Sequence, residues 1–167
     1  MKQHWHNVSP ILFGAALCWL GGAANAAETQ EHSRKVAEQA FLELRDGLRA
    51  GKWEAFFDRL DTYVSTRYPA NDDFNRWIPR EQPRVLLGKE AAMRFFKSFR
   101  AAHPSGLHVD EVVRTSANDT TVVFEARVSS QLADGGKYID RIGISFDICG
   151  EKICAYRQYF GGDGQSS

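Results

Sequence analysis

The segment from Ile144 to Phe160 reads ISFDICGEKICAYRQYF, and its pattern decides how the whole chain is interpreted. Apolar and polar residues alternate on both sides of Gly150-Glu151. Alternation with a period of two is typical of half-buried strands, and a short polar stretch containing glycine is typical of a turn. The segment therefore predicts a hairpin of two antiparallel strands.

The same alternation extends upstream of this hairpin. It predicts four consecutive strands, over residues 107–115, 121–131, 137–149 and 153–160. The stretches between them, such as Asn118-Asp119 and Asp134-Gly135-Gly136, have the composition of turns. Four strands joined in this way predict an antiparallel meander.

Helical spacing dominates the first half of the chain. Apolar residues within 31–50 recur at intervals of three and four, and Gly51 follows as a stop signal. The resulting stripe consists of Val36, Ala37, Ala40, Phe41, Leu44 and Leu48. Residues 52–60 predict a second, shorter helix, and residues 89–102 predict a third. Helices followed by a meander indicate an α+β fold, in which three helices cover one face of a curved, mainly antiparallel sheet.

The stretch between the second and third helices has two parts. Residues 61–67 alternate, with Tyr63 and Ser65 on one side and Val64 on the other, which predicts a further strand. Residues 68–87 contain three prolines and read as a long loop or lid. Trp77 in this loop either closes over an apolar ligand or anchors the loop to the core, and the sequence leaves both readings open.

The N-terminus has the pattern of a secretory leader. Lys2 precedes an unbroken apolar run over residues 11–20, and Ala24-Asn25-Ala26 supplies small residues before a cleavage site. This pattern predicts cleavage between Ala26 and Ala27, so that residues 27–167 form one exported domain, periplasmic or secreted. A retained membrane anchor is the alternative, but the apolar run is well short of the roughly 20 residues that a spanning helix needs.

Two cysteines remain after that cleavage, Cys149 and Cys154, on either side of the hairpin turn. In an oxidising compartment such a pair tends to form a bridge, and directly opposed strand residues come close enough for one. A metal pair or a redox couple is less favoured, because no histidine is nearby and the spacing is not Cys-x-x-Cys. We predict a structural disulfide.

Composition excludes some partners. Lysine plus arginine and aspartate plus glutamate each number 21, so the chain lacks the basic excess typical of nucleic-acid binding. No apolar run after the leader is long enough to span a membrane. Eleven phenylalanines, five tyrosines and four tryptophans are available to fill a core or to line an apolar pocket. No metal is expected, because the histidines lack the spacing of metal ligands, and no cofactor is expected, because the sequence has no phosphate-cradling glycine loop.

Three motifs carry a resemblance to a known family. They are the helix-glycine-short-helix start over 44–57, the sequence Leu87-Gly88-Lys89-Glu90-Ala91 at the third helix, and the closing hairpin 144–160. In order and spacing they resemble the nuclear transport factor 2-like superfamily, which includes SnoaL-like cyclases and ketosteroid isomerases. The resemblance implies a cone-shaped α+β barrel whose interior holds a small apolar ligand or substrate.

The catalytic set of ketosteroid isomerases is not retained in this sequence. The family's helix tyrosine, base aspartate and oxyanion aspartate fall at about Leu44, Ser65 and Ile142. Leucine and isoleucine cannot donate a hydrogen bond, and an unassisted serine is a poor proton acceptor. The resemblance therefore implies the fold without the classical isomerase chemistry.

Other polar residues remain as candidates for chemistry. The alternation that turns Ile142 inward also turns Asp140 inward, where it could form an acid–base pair with Tyr63 or Tyr156. The plainer interpretation, which we favour, is a surface ion pair of Asp140 with Arg141, Arg157 or Lys137. The predicted lining of the cone is Phe41, Leu44, Phe57, Ser65, Trp77, Phe96, Ile142, Ile144, Gln158 and Phe160.

Three functions follow from these residues. The first is a binding module that holds a small apolar molecule in the cone. The second is a lyase, isomerase or cyclase that uses Asp140 with a cavity tyrosine. The third is a protein-interaction module. A homodimer through the outer sheet face, which carries Glu125, Arg127 and Ser129, fits either of the first two.

Overall fold

The computed structural model describes residues 15–68, 85–131, 135–160 and 165–166. Three helices are present there: α1 (Ala15–Ala50), α2 (Glu54–Arg59) and α3 (Lys89–Ala102). The strands are β1 (Leu60–Arg67), β2 (Val85–Leu87), β3 (His108–Ala117), β4 (Thr121–Gln131), β5 (Lys137–Cys149), β6 (Lys152–Phe160) and β7 (Gln165–Ser166). Trp77 and residues 1–14 of the predicted leader lie outside the described residues.

Helix α1 buries the predicted apolar stripe, and all six of its members are core residues. The helix ends at Ala50 and is followed by Gly51, whose positive φ of 72° suits glycine and whose N–H donates to the carbonyl of Gly47 over 2.8 Å. Toward the N-terminus α1 extends beyond the predicted stripe, as far as the first described residue, Ala15, through a segment rich in alanine, the best helix former. No helix in the described part of the chain has the length and apolar character needed to cross a membrane.

The strands form one curved sheet in the order β2-β1-β6-β5-β4-β3, and β7 pairs with the start of β5. Strand β1 runs parallel to β6, and the other pairs are antiparallel. The predicted α+β fold, with helices on one face of a mainly antiparallel sheet, is confirmed. Strand β2 was not predicted, since its three residues fall in the stretch that reads as a loop.

Aromatic rings fill the space between the helices and the sheet. Phe96 of α3 contacts Phe56 of α2 and Tyr156 of β6, with ring centroids 5.1 Å apart in both pairs. Phe41 of α1 stacks on Phe124 of β4 at 4.4 Å. Burial of such rings supplies much of the hydrophobic stabilisation of a domain of this size.

The closing hairpin contains the predicted disulfide, but its register differs from the prediction. Cys149 and Cys154 are bonded, with Cα atoms 5.9 Å apart. They are not directly opposed: Cys149 pairs with Lys152, and Cys154 is the extra residue of a β-bulge between Ile153 and Ala155. In a regular strand one residue lies between two buried side chains, but here two residues, Cys154 and Ala155, lie between the buried Ile153 and Tyr156. The extra residue, Cys154, is the one that forms the disulfide with Cys149.

A candidate ligand site at the end of α3

Strand β5 presents a carboxylate to the core. Its inward positions are Asp140, Ile142, Ile144 and Phe146, and all four are buried. Asp140 is only 7% exposed, although the rest of this row is apolar. A buried polar group in an apolar row is costly unless it is hydrogen-bonded, so its partners determine what it can do.

Both carboxylate oxygens of Asp140 accept hydrogen bonds. The Tyr138 hydroxyl donates to Oδ2 over 2.9 Å, and the backbone N–H of Arg141 donates to Oδ1 over 2.7 Å. The expected ion pair with Arg157 is absent, because Arg157 binds Asp147 on the outer face, 2.8 Å from its Oδ2. Asp140 is therefore part of the interior. The predicted surface ion pair between Asp140 and Arg157 is wrong.

A histidine follows the last turn of α3 beside Tyr138. His103 is 1% exposed, and its ring centroid lies 6.2 Å from that of Tyr138 and 4.6 Å from that of Phe99. Its Nδ1 lies 2.9 Å from the Phe99 carbonyl oxygen and donates to it, because a carbonyl can only accept. Burial lowers the pKa of His103, which keeps the imidazole neutral at pH 7.

We refer to Tyr138, Asp140 and His103 as the α3-end cluster. The sequence identified only Asp140. Tyr138 was recognisable in principle, since it lies two positions earlier on the same strand and so faces the same side. His103 carried no such signal, because only the packing of α3 against the sheet brings it to β5.

The predicted partnership of Asp140 with Tyr63 is excluded by orientation. Tyr63 is 85% exposed, and Ser65 lies on the same outer side of β1. The apolar Val64 is buried in the core. Because side chains alternate along a strand, Val64 and Thr66 point inward and their neighbours point outward. The buried Thr66 hydroxyl has no hydrogen-bond partner among the described residues. Thr66 therefore takes the inward position that was predicted for Ser65.

The predicted partnership with Tyr156 is excluded by distance. Tyr156 is paired with Phe146, six residues along β5 from Asp140, which corresponds to about 20 Å at the usual rise of a strand. Its hydroxyl instead donates to Oε1 of Gln158 over 2.5 Å. Desolvation raises the pKa of Tyr156 far above its usual value, so the phenol stays protonated.

The other predicted lining residues divide into two groups. Those buried in the core are Phe41, Leu44, Phe57, Phe96, Ile142, Ile144 and Gln158. Trp77 lies outside the described residues, as does the side chain of Phe160. The buried residues pack on one another, and none of them borders the two cavities described next. Their role in contacting a ligand stays a prediction.

Two cavities are bordered by described residues alone. The larger, of about 630 Å³, lies between β2 and the face of α3 that carries Ala91, Arg94, Phe95 and Ser98. The smaller, of about 360 Å³, lies where the loop after α3 meets the β4–β5 hairpin and has a polar wall that includes Ser105, Ser130 and Lys137. The larger cavity has the size of small-molecule sites in proteins.

The outer face of the sheet is mixed: it has polar pairs between β3 and β4, and it also carries the exposed side chains of Ile139 and Tyr159. Arg127 pairs with Glu111 across β3 and β4 over 3.5 Å, and the Ser129 hydroxyl donates to Asp110 over 3.0 Å. These groups satisfy one another within the chain. A homodimer through this face stays a prediction. Within the described residues, no group of three or more histidine, cysteine or acidic side chains is arranged to hold a metal ion.

Comparison with known proteins places this architecture among solved structures. No family model and no curated protein matches the chain. An NTF2-like protein from Anabaena variabilis is 35% identical, with a TM-score of 0.71, and the match covers 81% of this chain and 94% of that one.

Other similar structures share the fold at low identity. A protein from Xanthomonas campestris, provisionally assigned as a polyketide cyclase, is 19% identical, with a TM-score of 0.60 and coverage of 77% of this chain and 93% of that one. TerC, co-crystallised with polyporic acid, is 14% identical, with a TM-score of 0.61 and coverage of 75% and 91%.

Proposed function

Because this chain belongs to the NTF2-like family, we propose that it binds a small, mostly apolar molecule between α3 and the sheet, with the α3-end cluster as the polar contact. The observation that carries the proposal is the buried, hydrogen-bonded carboxylate of Asp140 at one end of an apolar row. Keeping such a group in the interior costs stability, and buried polar groups of this kind concentrate at binding and catalytic sites.

The surroundings of the cluster support an apolar ligand. A row of rings runs from the larger cavity to the cluster: Tyr68 stacks on Phe95 at 4.9 Å, Phe95 packs on Phe99 at 6.3 Å, and Phe99 packs on His103 at 4.6 Å. Apolar walls with a few placed polar groups are the usual composition of a small-molecule site. The fold of TerC, which was co-crystallised with polyporic acid, adds support by analogy.

Native mass spectrometry of protein purified from its own periplasm tests the proposal. We expect a bound small molecule whose affinity falls about tenfold or more in Asp140→Asn and falls less in Tyr138→Phe, since hydrogen bonds to a charged group are worth about 1.5–3 kcal/mol. Asp110→Asn is the matched control, because Asp110 also accepts a hydroxyl hydrogen bond but is exposed. A chain that is always empty and takes up no apolar probe would contradict the proposal.

Acid–base catalysis is the second candidate function, and the neutral, hydrogen-bonded imidazole of His103 favours it. With Nδ1–H bound to the Phe99 carbonyl, a neutral imidazole keeps Nε2 as its accepting nitrogen. A buried neutral imidazole beside a tyrosine and a carboxylate has the components for proton transfer in an isomerase or cyclase. Exchange of α-protons in ketone probes, followed by NMR in D₂O, tests this: we expect exchange in the parent and loss of it in His103→Asn. Bound ketones that do not exchange would exclude it.

We also propose that the protein is exported, with cleavage of the predicted leader. Gln30 donates to the Ala117 carbonyl over 2.9 Å and the Ser33 hydroxyl donates to the Asp119 carbonyl over 2.8 Å, so α1 is fastened to the sheet shortly after the predicted cleavage site. Ala26 and Ala27 are exposed. Cleavage between them would leave these contacts intact. The intact mass of protein isolated from the periplasm is expected to start at Ala27, whereas full-length chain in the membrane fraction would contradict cleavage.

A further inference from the structure

The larger cavity combines an apolar wall with a cation at its rim. Phe95, buried in the core, and the half-buried Leu86 of β2 supply the wall. Arg94 and Ser98 lie one helical turn apart on the solvent side of the same wall. Positions four apart on a helix lie on one face, so a guanidinium and a hydroxyl border the apolar surface together.

Arg94 differs from the other cations of α3. Lys89 lies 3.8 Å from Asp58, the amine of Lys97 lies 5.9 Å from the ring centre of Phe57, and Arg100 donates to the carbonyl of Pro104 over 3.2 Å. Arg94 has no ion pair and no hydrogen bond within the described part of the chain. A guanidinium offers a planar pair of donors that matches a carboxylate.

We propose that this cavity takes an amphipathic carboxylic acid, with the carboxylate on Arg94 and Ser98 and the apolar body along Phe95 and Leu86. The inference rests on the proposed function, because it names the chemical class of the ligand in the same space. The apolar body lies along the walls that Phe95 and Leu86 give this cavity, whereas a carboxylate needs a cation where water still reaches it. The rim position of Arg94 meets that need.

Paired probes test the role of the charge. Decanoate and decan-1-ol have the same chain length, and titration calorimetry below their aggregation concentrations compares them. We expect the parent protein to bind decanoate at least three- to tenfold more tightly than decan-1-ol. Arg94→Met should remove this difference and leave the binding of decan-1-ol unchanged. Raising the salt concentration should weaken only the binding of decanoate.

Arg45→Met is the matched control, because Arg45 is exposed on α1 away from the cavity, and it should bind both probes as the parent does. Backbone amide shifts should change at Leu86, Phe95 and Ser98. Equal binding of the two probes, or shift changes elsewhere, would overturn the inference and leave the proposed function standing. If neither decan-1-ol nor any other apolar probe binds, both the inference and the proposed function fail.

Discussion

Gly47 of α1 lies against the indole of Trp53, so closely that a Cβ atom at position 47 would overlap the ring. Trp53 is buried and packs on Phe57 and Phe96, with ring centroids 5.5 and 5.6 Å apart. The missing side chain at position 47 is what lets α1 and the start of α2 approach this closely. The glycine is thus kept in the middle of a helix for packing.

Gly47→Ala should therefore destabilise the protein, although alanine is the better helix former by about 1 kcal/mol. Overpacking of a core typically costs about 1–3 kcal/mol, and urea unfolding measures the change. Gly143→Ala is the control, since its Cβ would lie 3.7 Å from that of Tyr159, an ordinary contact. A Gly47→Ala variant as stable as the parent would show that Trp53 moves aside without cost.

Removing the disulfide should weaken the closing hairpin. We expect the double variant Cys149→Ser, Cys154→Ser to lose about 2 kcal/mol, at the lower end of the usual range because the bridge closes a short loop. Reductant should lower the urea midpoint of the parent to that of the variant and leave the variant unchanged. Two titratable thiols in folded, non-reduced, leader-free protein would show instead that the bridge does not form.

The hydroxyl of Tyr156 should contribute to stability. Tyr156→Phe leaves the Oε1 atom of the buried Gln158 without its donor, which typically costs about 1–3 kcal/mol. Tyr63→Phe is the matched control: its side chain is 85% exposed, so we expect a change within about 0.5 kcal/mol. Thermal and urea unfolding measure both variants. Equal effects of the two substitutions would contradict the burial assigned to Tyr156.

The lowered pKa of His103 predicts an acid-sensitive fold. The unfolded chain protonates this histidine near pH 6.5, its ordinary value, whereas the folded chain resists protonation to lower pH. The unfolded state therefore binds more protons below pH 6.5, and stability should fall as the pH falls from there toward the folded-state pKa.

Urea unfolding at pH 7.5, 6.5 and 5.5 measures this loss. His103→Asn should reduce it, since an asparagine amide can still donate to the Phe99 carbonyl and does not titrate. His32→Asn is the control, because His32 lies on the surface, 3.2 Å from Glu151. An unchanged pH dependence in His103→Asn would assign the effect to other groups.

Much of the fold was predictable because its signals are local. The stripe of α1 and the alternation of β4 and β5 identify their buried faces without knowledge of a partner, since helical and strand periods are properties of the chain itself. The disulfide was predictable for the same reason, as both cysteines belong to one hairpin. Strand β2 was not, because three residues are too short to show a period.

The candidate site was predictable only in part. Asp140 points inward as its place in β5 predicted, but the choice of its partner required more than periodicity. The polar side of β1 had been assigned to the core, but Val64 is buried and Tyr63 lies on the outer face, since neighbouring side chains of a strand point to opposite sides. The bulge in β6 likewise changed which residue opposes Cys149.

The sequence by itself determined the three helices, β1 and the four strands of the meander, their order, and the sides of β4 and β5 that face the core. Only the tertiary structure decided that Asp140 meets Tyr138 and not Tyr156, that His103 reaches β5, and that Arg94 stands at the rim of an apolar cavity. The physical reason is that periodicity fixes the direction of a side chain, whereas its neighbours depend on strand register and on how α3 packs across the sheet.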